Sequence, residues 1–184
     1  MQARGSATLE DLRHVREKAE LVNGEIVCMT PVGGSHGYAS GEIVASLRQL
    51  SQRTGFGHAL GDNVGFRVNL PNRMSFSPDA SFYVGPLTAD FLDGAPIFAV
   101  EIRSGDDYGP AAEARLSAKR ADYFAAGTIV VWDVDLEHTR CVRAYRADDP
   151  MNPSVYRRGE LARAEPALPG WSMPVADLFP SERY

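Results

Sequence analysis

Apolar positions along this chain recur with two different periods, and each change of period marks a predicted element. Residues 36–53 carry apolar side chains at helical spacing and are followed by Gly55, which predicts an amphipathic helix that ends at a glycine. Residues 56–70 change to strict alternation of apolar and polar side chains, which predicts a half-exposed strand. The first half of the chain therefore contains at least one helix and one strand.

The middle of the chain predicts a strand–helix–strand unit. Residues 76–84 and 96–103 have strand patterns, and residues 110–126 predict a helix with proline in its first turn. Residues 128–132 follow as a buried strand. Because such crossovers join parallel strands, we expect the second and third of these strands to be parallel neighbours. Residues 141–146 alternate and are expected to return antiparallel beside them.

The two ends of the chain complete the prediction. Thr8, with an acid three residues later, predicts a helix N-cap and a short helix to about residue 18. Asn23-Gly24 between short apolar runs predicts a tight hairpin. Residues 148–184 predict a tail that wraps around the same domain. The fold class is therefore α/β, one domain over residues 1–184 with a mixed central β-sheet flanked by helices.

Composition removes several classes of protein. The chain has 184 residues, 19 basic and 24 acidic, and a net charge of −5, so no overall basic field attracts it to nucleic acid. Its two cysteines do not form a disulfide or metal framework. We find no signal peptide and no apolar run of about 20 residues, and we expect a soluble cytoplasmic protein. Only two residues are lysine, Lys18 and Lys119.

An acidic residue inside an apolar strand is the first chemical signal. Glu101 lies within Ile97-Phe98-Ala99-Val100-Glu101-Ile102, and a buried carboxylate needs a cation, a metal or a solvated cleft. Asp79 lies within the preceding strand, and paired strands would bring the two acids within reach of one divalent ion. Lys119, with Tyr123 one turn later, lies on the helix that follows.

Two acids and a lysine in this order are typical of metal-assisted phosphodiester hydrolysis. The acids hold Mg²⁺ through oxygen ligands, and the lysine orients water or neutralises the phosphate. The alternative is structural: Glu101 forms an ion pair with a nearby arginine, and Asp79 stabilises a turn. The order of the three residues on strand, strand and helix favours the site.

The same residues carry a resemblance to a known family. The opening Glu20-Leu21-Val22-Asn23-Gly24-Glu25 and the acid–acid–lysine set over residues 20–145 resemble the Uma2 family (DUF820), which consists of restriction-endonuclease-like proteins of the PD-(D/E)xK superfamily. The segments that carry the resemblance are Pro78-Asp79, Val100-Glu101-Ile102-Arg103-Ser104, Lys119 with Tyr123, Gly127, and Val131-Trp132-Asp133-Val134-Asp135.

This resemblance implies a restriction-endonuclease-like core and an endonuclease that cuts DNA. It implies that Asp79, Glu101 and the Ile102 carbonyl bind Mg²⁺ or Mn²⁺ and that Lys119 is the catalytic lysine. The superfamily usually has this lysine two residues after the acid, where this chain has Arg103, which can clamp a phosphate but is a poor proton-transfer group. By analogy with fold relatives that cut two strands, we expect a homodimer. The alternative is a non-catalytic binding or assembly module with the same fold.

Further polar residues have two interpretations each. Glu20 is either an additional acid near the metal or a solvated hairpin acid, and His36 is either a ligand or phosphate contact or a helix-capping residue. Asp106 and Asp107 are expected in an exposed loop, with recruitment of a second ion as the alternative. Turn chemistry explains Asp133 and Asp135, and surface positions suit His14, His58 and His138. Arg140, Arg143 and Arg146 either line a face that binds a nucleic-acid backbone or are plain solvated charges, and the net charge of −5 favours the second.

Overall fold

The structure is a computed structural model that describes residues 6–180. Residues 1–5, part of the segment in which we expect no signal peptide, and residues 181–184 lie outside the described part. The helices are α1 (Leu9–Arg13), α2 (Gly34–Thr54) and α3 (Pro110–Ala125), with a 3₁₀ turn at Val175–Leu178. The strands are β1 (Ala19–Val22), β2 (Glu25–Cys28), β3 (His58–Leu60), β4 (Phe66–Arg67), β5 (Ser75–Phe76), β6 (Ala80–Tyr83), β7 (Leu92–Asp93), β8 (Phe98–Ile102), β9 (Val130–Asp135), β10 (Cys141–Arg146), β11 (Asp149–Arg157), β12 (Leu161–Arg163) and β13 (Ser172–Pro174).

Six of the strands form a mixed central sheet in the order β11-β10-β9-β8-β6-β3. Strands β8 and β9 are parallel and are joined through α3, as the strand–helix–strand pattern predicts. Strand β10 returns antiparallel beside β9, which is also as predicted. The fold class expected from the sequence, an α/β protein with a mixed central sheet and flanking helices, is confirmed.

The two faces of the sheet bury different sets of side chains. Alternate residues of β8, such as Phe98 and Val100, pack with Ile43 and Leu47 of α2 on one face. Ala99 packs with Tyr123 of α3 on the other face. Because side chains alternate along a strand, the side chain of residue 101 lies on the α3 face with that of Ala99.

The N-terminal elements agree with the sequence in type but not in length. Thr8 and Asp11 form the capping box, but α1 ends at Arg13 instead of near residue 18. The reason is that the Lys18 carbonyl already accepts a hydrogen bond from the Met29 N–H, which extends the β1–β2 hairpin and requires extended backbone there. The hairpin itself turns at Asn23-Gly24, both at positive φ, as predicted.

Two predicted strands are each divided in the structure. The stretch 76–84 is broken at Pro78, which has no N–H for the ladder, and the chain changes sheets there: β5 pairs with β4 and β6 pairs with β8. The stretch 56–70 is broken into β3 and β4 by a turn in which Asn63 has a φ of 62°. In both stretches apolar and polar side chains continue to alternate, but the two halves of the stretch pair with different strands.

The strand predicted over residues 128–132 is β9, which begins at Val130 and ends at Asp135, two and three residues later than predicted.

The tail also contains more structure than its composition suggests. Strand β11 forms the edge of the central sheet, where Pro150 and Pro153 are tolerated because one side of an edge strand needs no N–H donors. Trp171 is buried against Trp132 and Phe98, with ring centroids 5.2 and 5.7 Å away. Within residues 6–180, no helix combines the length and apolarity needed to cross a bilayer.

We expect the tail to be required for folding of the whole chain. Trp171→Ala removes an indole that is 4% exposed and donates to the Ser46 hydroxyl at 3.1 Å, so the free energy of unfolding should fall by about 3–5 kcal/mol. Urea denaturation measures this. Met151→Ala, at a side chain 81% exposed, is the control and should change it by about 0.5 kcal/mol or less. A tail that unfolds in a separate transition would contradict this account.

Candidate active site

Asp79 lies where the chain passes from one sheet to the other. The pairing Ala80↔Val100 continues by one residue to place Asp79 opposite Glu101. The Asp79 N–H donates to the Val100 carbonyl at 3.0 Å, and the Asp79 carbonyl accepts from the Ser40 hydroxyl at 2.6 Å. Its carboxylate accepts from the Ile102 N–H at 2.7 Å. The break at Pro78 therefore leaves a firmly held acid beside the end of β8.

Glu101 faces α3 from inside β8. The Lys119 ammonium donates to one oxygen of its carboxylate at 2.8 Å, and the Tyr123 hydroxyl donates to the other at 2.6 Å. The Tyr123 ring stacks on Phe76 with centroids 4.0 Å apart, which fixes the direction of its hydroxyl. The one-turn spacing of Lys119 and Tyr123 thus brings both donors to the same carboxylate. The sequence predicts that Lys119 faces the acids but does not predict the hydrogen bond from Tyr123.

Glu20 belongs to this group, and its interpretation as a solvated hairpin acid is wrong. It is 3% exposed and accepts hydrogen bonds from the Ser77 N–H at 2.8 Å and from Arg73 at 2.5 Å. The Lys119 ammonium lies 2.9 Å from it, so Lys119 bridges Glu20 and Glu101. The hairpin is pressed against β5 instead of facing solvent, since Met74 and Ser75 bond to the backbone of Leu21.

His36 is not a helix-capping residue. The N-cap of α2 is Gly33, and His36 lies in the first turn with its side chain buried. Its Nε2 atom lies 3.2 Å from a carboxylate oxygen of Asp79 and 3.1 Å from the Ile102 carbonyl oxygen. The imidazole therefore contacts two of the groups that the family resemblance implies as metal ligands.

Sequence reasoning did not assign Lys18 to the site. Its ammonium lies 2.5 Å from Asp79 and 2.6 Å from Asp62. The available signal was the rarity of lysine in this chain together with the position of Lys18 two residues before Glu20, on the same side of an extended segment. The prediction of a helix to about residue 18 concealed this alignment.

Arg73 is the second residue that sequence reasoning did not find. Its guanidinium binds Glu20 and also Asp122, at 2.8 Å, and lies 4.9 Å from the centre of the Phe76 ring. It joins Asp122 to the cluster through its contact with Glu20. A single arginine in a short loop before β5 carries no local pattern that identifies this role.

The pKa shifts follow from these contacts. Burial opposes ionisation of Asp79, but hydrogen bonding by His36 and the charge of Lys18 outweigh it and hold the pKa of Asp79 well below its usual range. Burial raises the pKa of Glu101, and the Asp79 and Glu20 carboxylates add to this against the charge of Lys119. Burial opposes the charge of Lys119, but Glu101 and Glu20 outweigh it and raise the pKa of this ammonium.

The connected cluster contains more negative than positive charge. Five carboxylates face three cations, which leaves a net charge of −2 when every carboxylate is ionised and His36 is neutral; the carboxylates are Glu20, Asp62, Asp79, Glu101 and Asp122, and the cations are Lys18, Arg73 and Lys119. Burial opposes the charge of His36, but the Asp79 carboxylate outweighs it and raises the pKa of the imidazole, and protonation of His36 changes the total to −1. The excess of negative charge favours binding of a cation, and the carboxylate oxygens of Asp79 and Glu101 are ligands that suit a divalent ion such as Mg²⁺.

The donor set limits what kind of metal site is possible. Within residues 6–180, no three His, Cys, Asp or Glu side chains are arranged as a ready metal site. Asp79 and Glu101 with the Ile102 carbonyl are two side-chain donors and one backbone donor. Mg²⁺ is compatible with such a set, because it usually retains several of its water ligands.

Arg103 does not act as a free phosphate clamp. Its guanidinium is buried and binds Asp133, with distances of 2.6 and 2.7 Å, and also Glu113. The explanation of Asp133 by turn chemistry is therefore wrong, because a buried arginine partners it. Turn chemistry is confirmed for Asp135, whose carboxylate accepts from the N–H groups of residues 137–139.

The remaining acidic and histidine candidates lie apart from the cluster. Asp106 is exposed, as expected, whereas Asp107 is half-buried and accepts a hydrogen bond from the Ser104 N–H at 2.9 Å within its own loop. The predicted surface position is confirmed for His14 and His138 and is wrong for His58, which is half-buried in β3.

A cleft opens beside the cluster at the ends of β8 and β9. It has a volume of about 380 Å³, and its wall includes Gly33, Ser35, His36, Ser104 and Glu137. His36 joins the cleft to the acidic cluster, since it contacts both the cleft and Asp79. The cleft thus reaches His36 at the edge of the cluster.

Comparisons with known proteins agree with this architecture. The family model Uma2, described as "Putative restriction endonuclease", matches residues 7–176. A crystal structure titled as a putative nuclease belonging to DUF820, from Anabaena variabilis ATCC 29413, is similar with a TM-score of 0.74 and 20% sequence identity, covering 94% of this chain and 97% of that chain. No curated protein shows significant similarity to the chain. Because the family model covers almost all of the described residues, the protein belongs to the Uma2 family.

Proposed function

We propose that this protein is a metal-dependent endonuclease that hydrolyses phosphodiester bonds of DNA. The observation that carries the proposal is the buried cluster in which Asp79 and Glu101 oppose each other, with Lys119 bound to Glu101 and with positive charge in deficit. Membership of a family of nuclease-like proteins and the fold shared with a DUF820 structure support it.

In this proposal Asp79, Glu101 and the Ile102 carbonyl hold Mg²⁺ or Mn²⁺. The bound ion supplies Lewis acidity, which stabilises charge on the scissile phosphate and lowers the pKa of an attacking water. Tyr123 orients Glu101 through its short hydrogen bond, and the Ile102 N–H orients Asp79. His36 keeps the carbonyl and Asp79 in place from the α2 side.

Lys119 acts in this proposal as a charged donor and not as a base. Because Glu101 and Glu20 raise its pKa, its ammonium keeps its proton at neutral pH. A protonated ammonium can donate to the attacking water or to a phosphate oxygen and can neutralise charge that develops there. Glu20 contributes by holding Lys119 beside Glu101.

Lys18 has a separate role in the proposal. Its ammonium binds Asp79, and the charge of Glu101 also favours its ionised form. It therefore lies among the same carboxylates that attract a divalent ion. We propose that Lys18 neutralises Asp79 when no metal is bound and is displaced by the ion.

The second candidate function is a non-catalytic binding or assembly module. Two observations favour it: each carboxylate oxygen of Asp79 and Glu101 already contacts a protein donor, and the net charge of the chain is −5.

For cleavage of a duplex we also propose a homodimer, in which each copy would cut one strand. Sedimentation in solution tests the dimer, and the two experiments below separate the two functions.

Cleavage of DNA should require a divalent ion and should depend on Lys119. Lys119→Ala should lower the rate by about 10²–10³, because one electrostatic stabiliser of the transition state is lost. Lys119→Arg should restore charge but little rate, since guanidinium differs in geometry and reach. Nicking of plasmid and single-stranded DNA with Mg²⁺ or Mn²⁺ measures this, with Asp79→Asn as the inactive control. Equal rates for wild type and Lys119→Ala would refute the assignment, and no cutting by wild type would favour the binding module.

Removal of the Lys18 charge should strengthen metal binding. Lys18→Met leaves Asp79 without its ammonium partner, so the melting temperature without metal should fall, while the increase caused by Mn²⁺ should be larger than in wild type. Thermal melting and calorimetric titration with Mn²⁺ measure both effects. Lys18→Arg, which keeps the charge, is the matched control. Unchanged or weaker Mn²⁺ affinity in Lys18→Met would show that lysine and metal do not compete.

A further inference from the structure

Two arginines face each other at the edge of the central sheet. Cys141↔Arg157 is the terminal pair of β10 and β11, and Arg140 and Arg158 are the residues next to it on the two chain segments. Both side chains are exposed, and both lie over the ring of Phe179, with guanidinium carbons 5.0 and 5.6 Å from its centre. Within residues 6–180, neither arginine forms an ion pair with a carboxylate.

The turn that carries Arg140 is held in a fixed shape. The Asp135 carboxylate accepts hydrogen bonds from the backbone of residues 137–139 and from the Tyr108 hydroxyl. Arg140 itself has a φ of 51°, in the left-handed region that costs free energy for a residue with a Cβ. The structure thus maintains a strained backbone at a residue whose guanidinium is exposed.

The two arginines within β10 make different contacts. Arg143 donates to the Thr139 hydroxyl at 3.0 Å, and Arg146 binds Asp148 at 3.2 Å. They do not join Arg140 in one surface, so an arginine face along β10 is not formed. The expectation of plain solvated charges is wrong for Arg143 and Arg146, which are half-buried and have side-chain partners, and it does not describe Arg140 and Arg158 over the Phe179 ring.

The arginine pair lies at the same end of the sheet as the candidate active site. Cys141 pairs with Asp135 at the end of β9, and β9 is parallel to β8, which ends at Ile102. A pocket of about 170 Å³ lined by Arg140, Arg158, Phe179 and Ser35 shares Ser35 with the cleft beside His36. Three strand intervals separate β6 from β10, which is about 14 Å at about 4.8 Å each.

We propose that Arg140 and Arg158 form a phosphate clamp that binds the backbone of a polynucleotide a few nucleotides from the bond to be hydrolysed. A guanidinium stacked on an aromatic ring keeps its N–H groups at the edge free for phosphate oxygens. Backbone contacts of this kind position a nucleic acid without reading its sequence. The clamp rests on the proposed function and narrows it to polymeric substrates, because a mononucleotide does not reach both the clamp and the acidic cluster.

The test compares Arg140→Gln combined with Arg158→Gln against wild type. Affinity for a fluorescent DNA duplex of about 20 base pairs, measured by anisotropy with Ca²⁺ at several salt concentrations, should fall about tenfold or more in the double variant. The slope of log K against log salt should become shallower by about 2, since two phosphate contacts are lost. Arg48→Gln with Arg53→Gln, which removes two exposed arginines from the far half of α2, is the matched control and should bind as wild type does.

Hydrolysis of bis(p-nitrophenyl) phosphate separates this inference from the proposed function. This small diester needs only the acidic cluster, so the clamp variant should hydrolyse it at the wild-type rate. If wild type binds the duplex but hydrolyses neither DNA nor the small diester, the proposed nuclease activity is refuted. The clamp is still supported in that case if the double variant binds the duplex more weakly and its affinity depends less steeply on salt. The clamp is overturned if the double variant keeps the wild-type slope, or if wild type does not bind the duplex.

Discussion

Neutralisation of opposed buried carboxylates is the constraint on which the candidate site depends. Asp79 and Glu101 lie across one pair of neighbouring strands, and each needs positive charge because burial disfavours its ionised form. The only two lysines of the chain supply this charge: Lys18 binds Asp79, and Lys119 binds Glu101. With the carboxylates ionised, negative charge remains in excess, and this excess supports the proposal that the site binds a divalent cation.

The fold produces this arrangement through a change of sheet. Pro78 breaks the ladder, so Asp79 leaves one sheet and enters the other with its carboxylate fixed by the Ile102 N–H. The crossover between the parallel strands then brings α3 over Glu101 and aims Lys119 at it. The same parallel strands end at the edge where the cleft opens, so the cleft and the candidate site lie at the same end of the sheet.

The sequence predicts those parts of the site that depend on local patterns. The sequence predicts the hairpin turn at Asn23-Gly24, and it predicts that Glu101 lies on a strand followed by the helix that carries Lys119. Both predictions succeed because hydrophobic periodicity and turn preferences depend on only a few neighbouring residues. The position of Lys18 was not readable, since it depends on docking of the hairpin against distant strands. Strand β11 was missed because Pro153 argues against a strand unless the strand is known to be at an edge.

The most direct measurement is a crystal structure with Mn²⁺, in which anomalous scattering locates the ion. The account predicts one peak between Asp79 and Glu101, about 2.1 Å from a carboxylate oxygen of each, and a Lys18 ammonium that has moved away from Asp79. It also predicts that Lys119 stays beside Glu20. An anomalous peak at another place would contradict the central claim. So would a structure at saturating Mn²⁺ in which Lys18 still binds Asp79 and no peak lies beside Asp79.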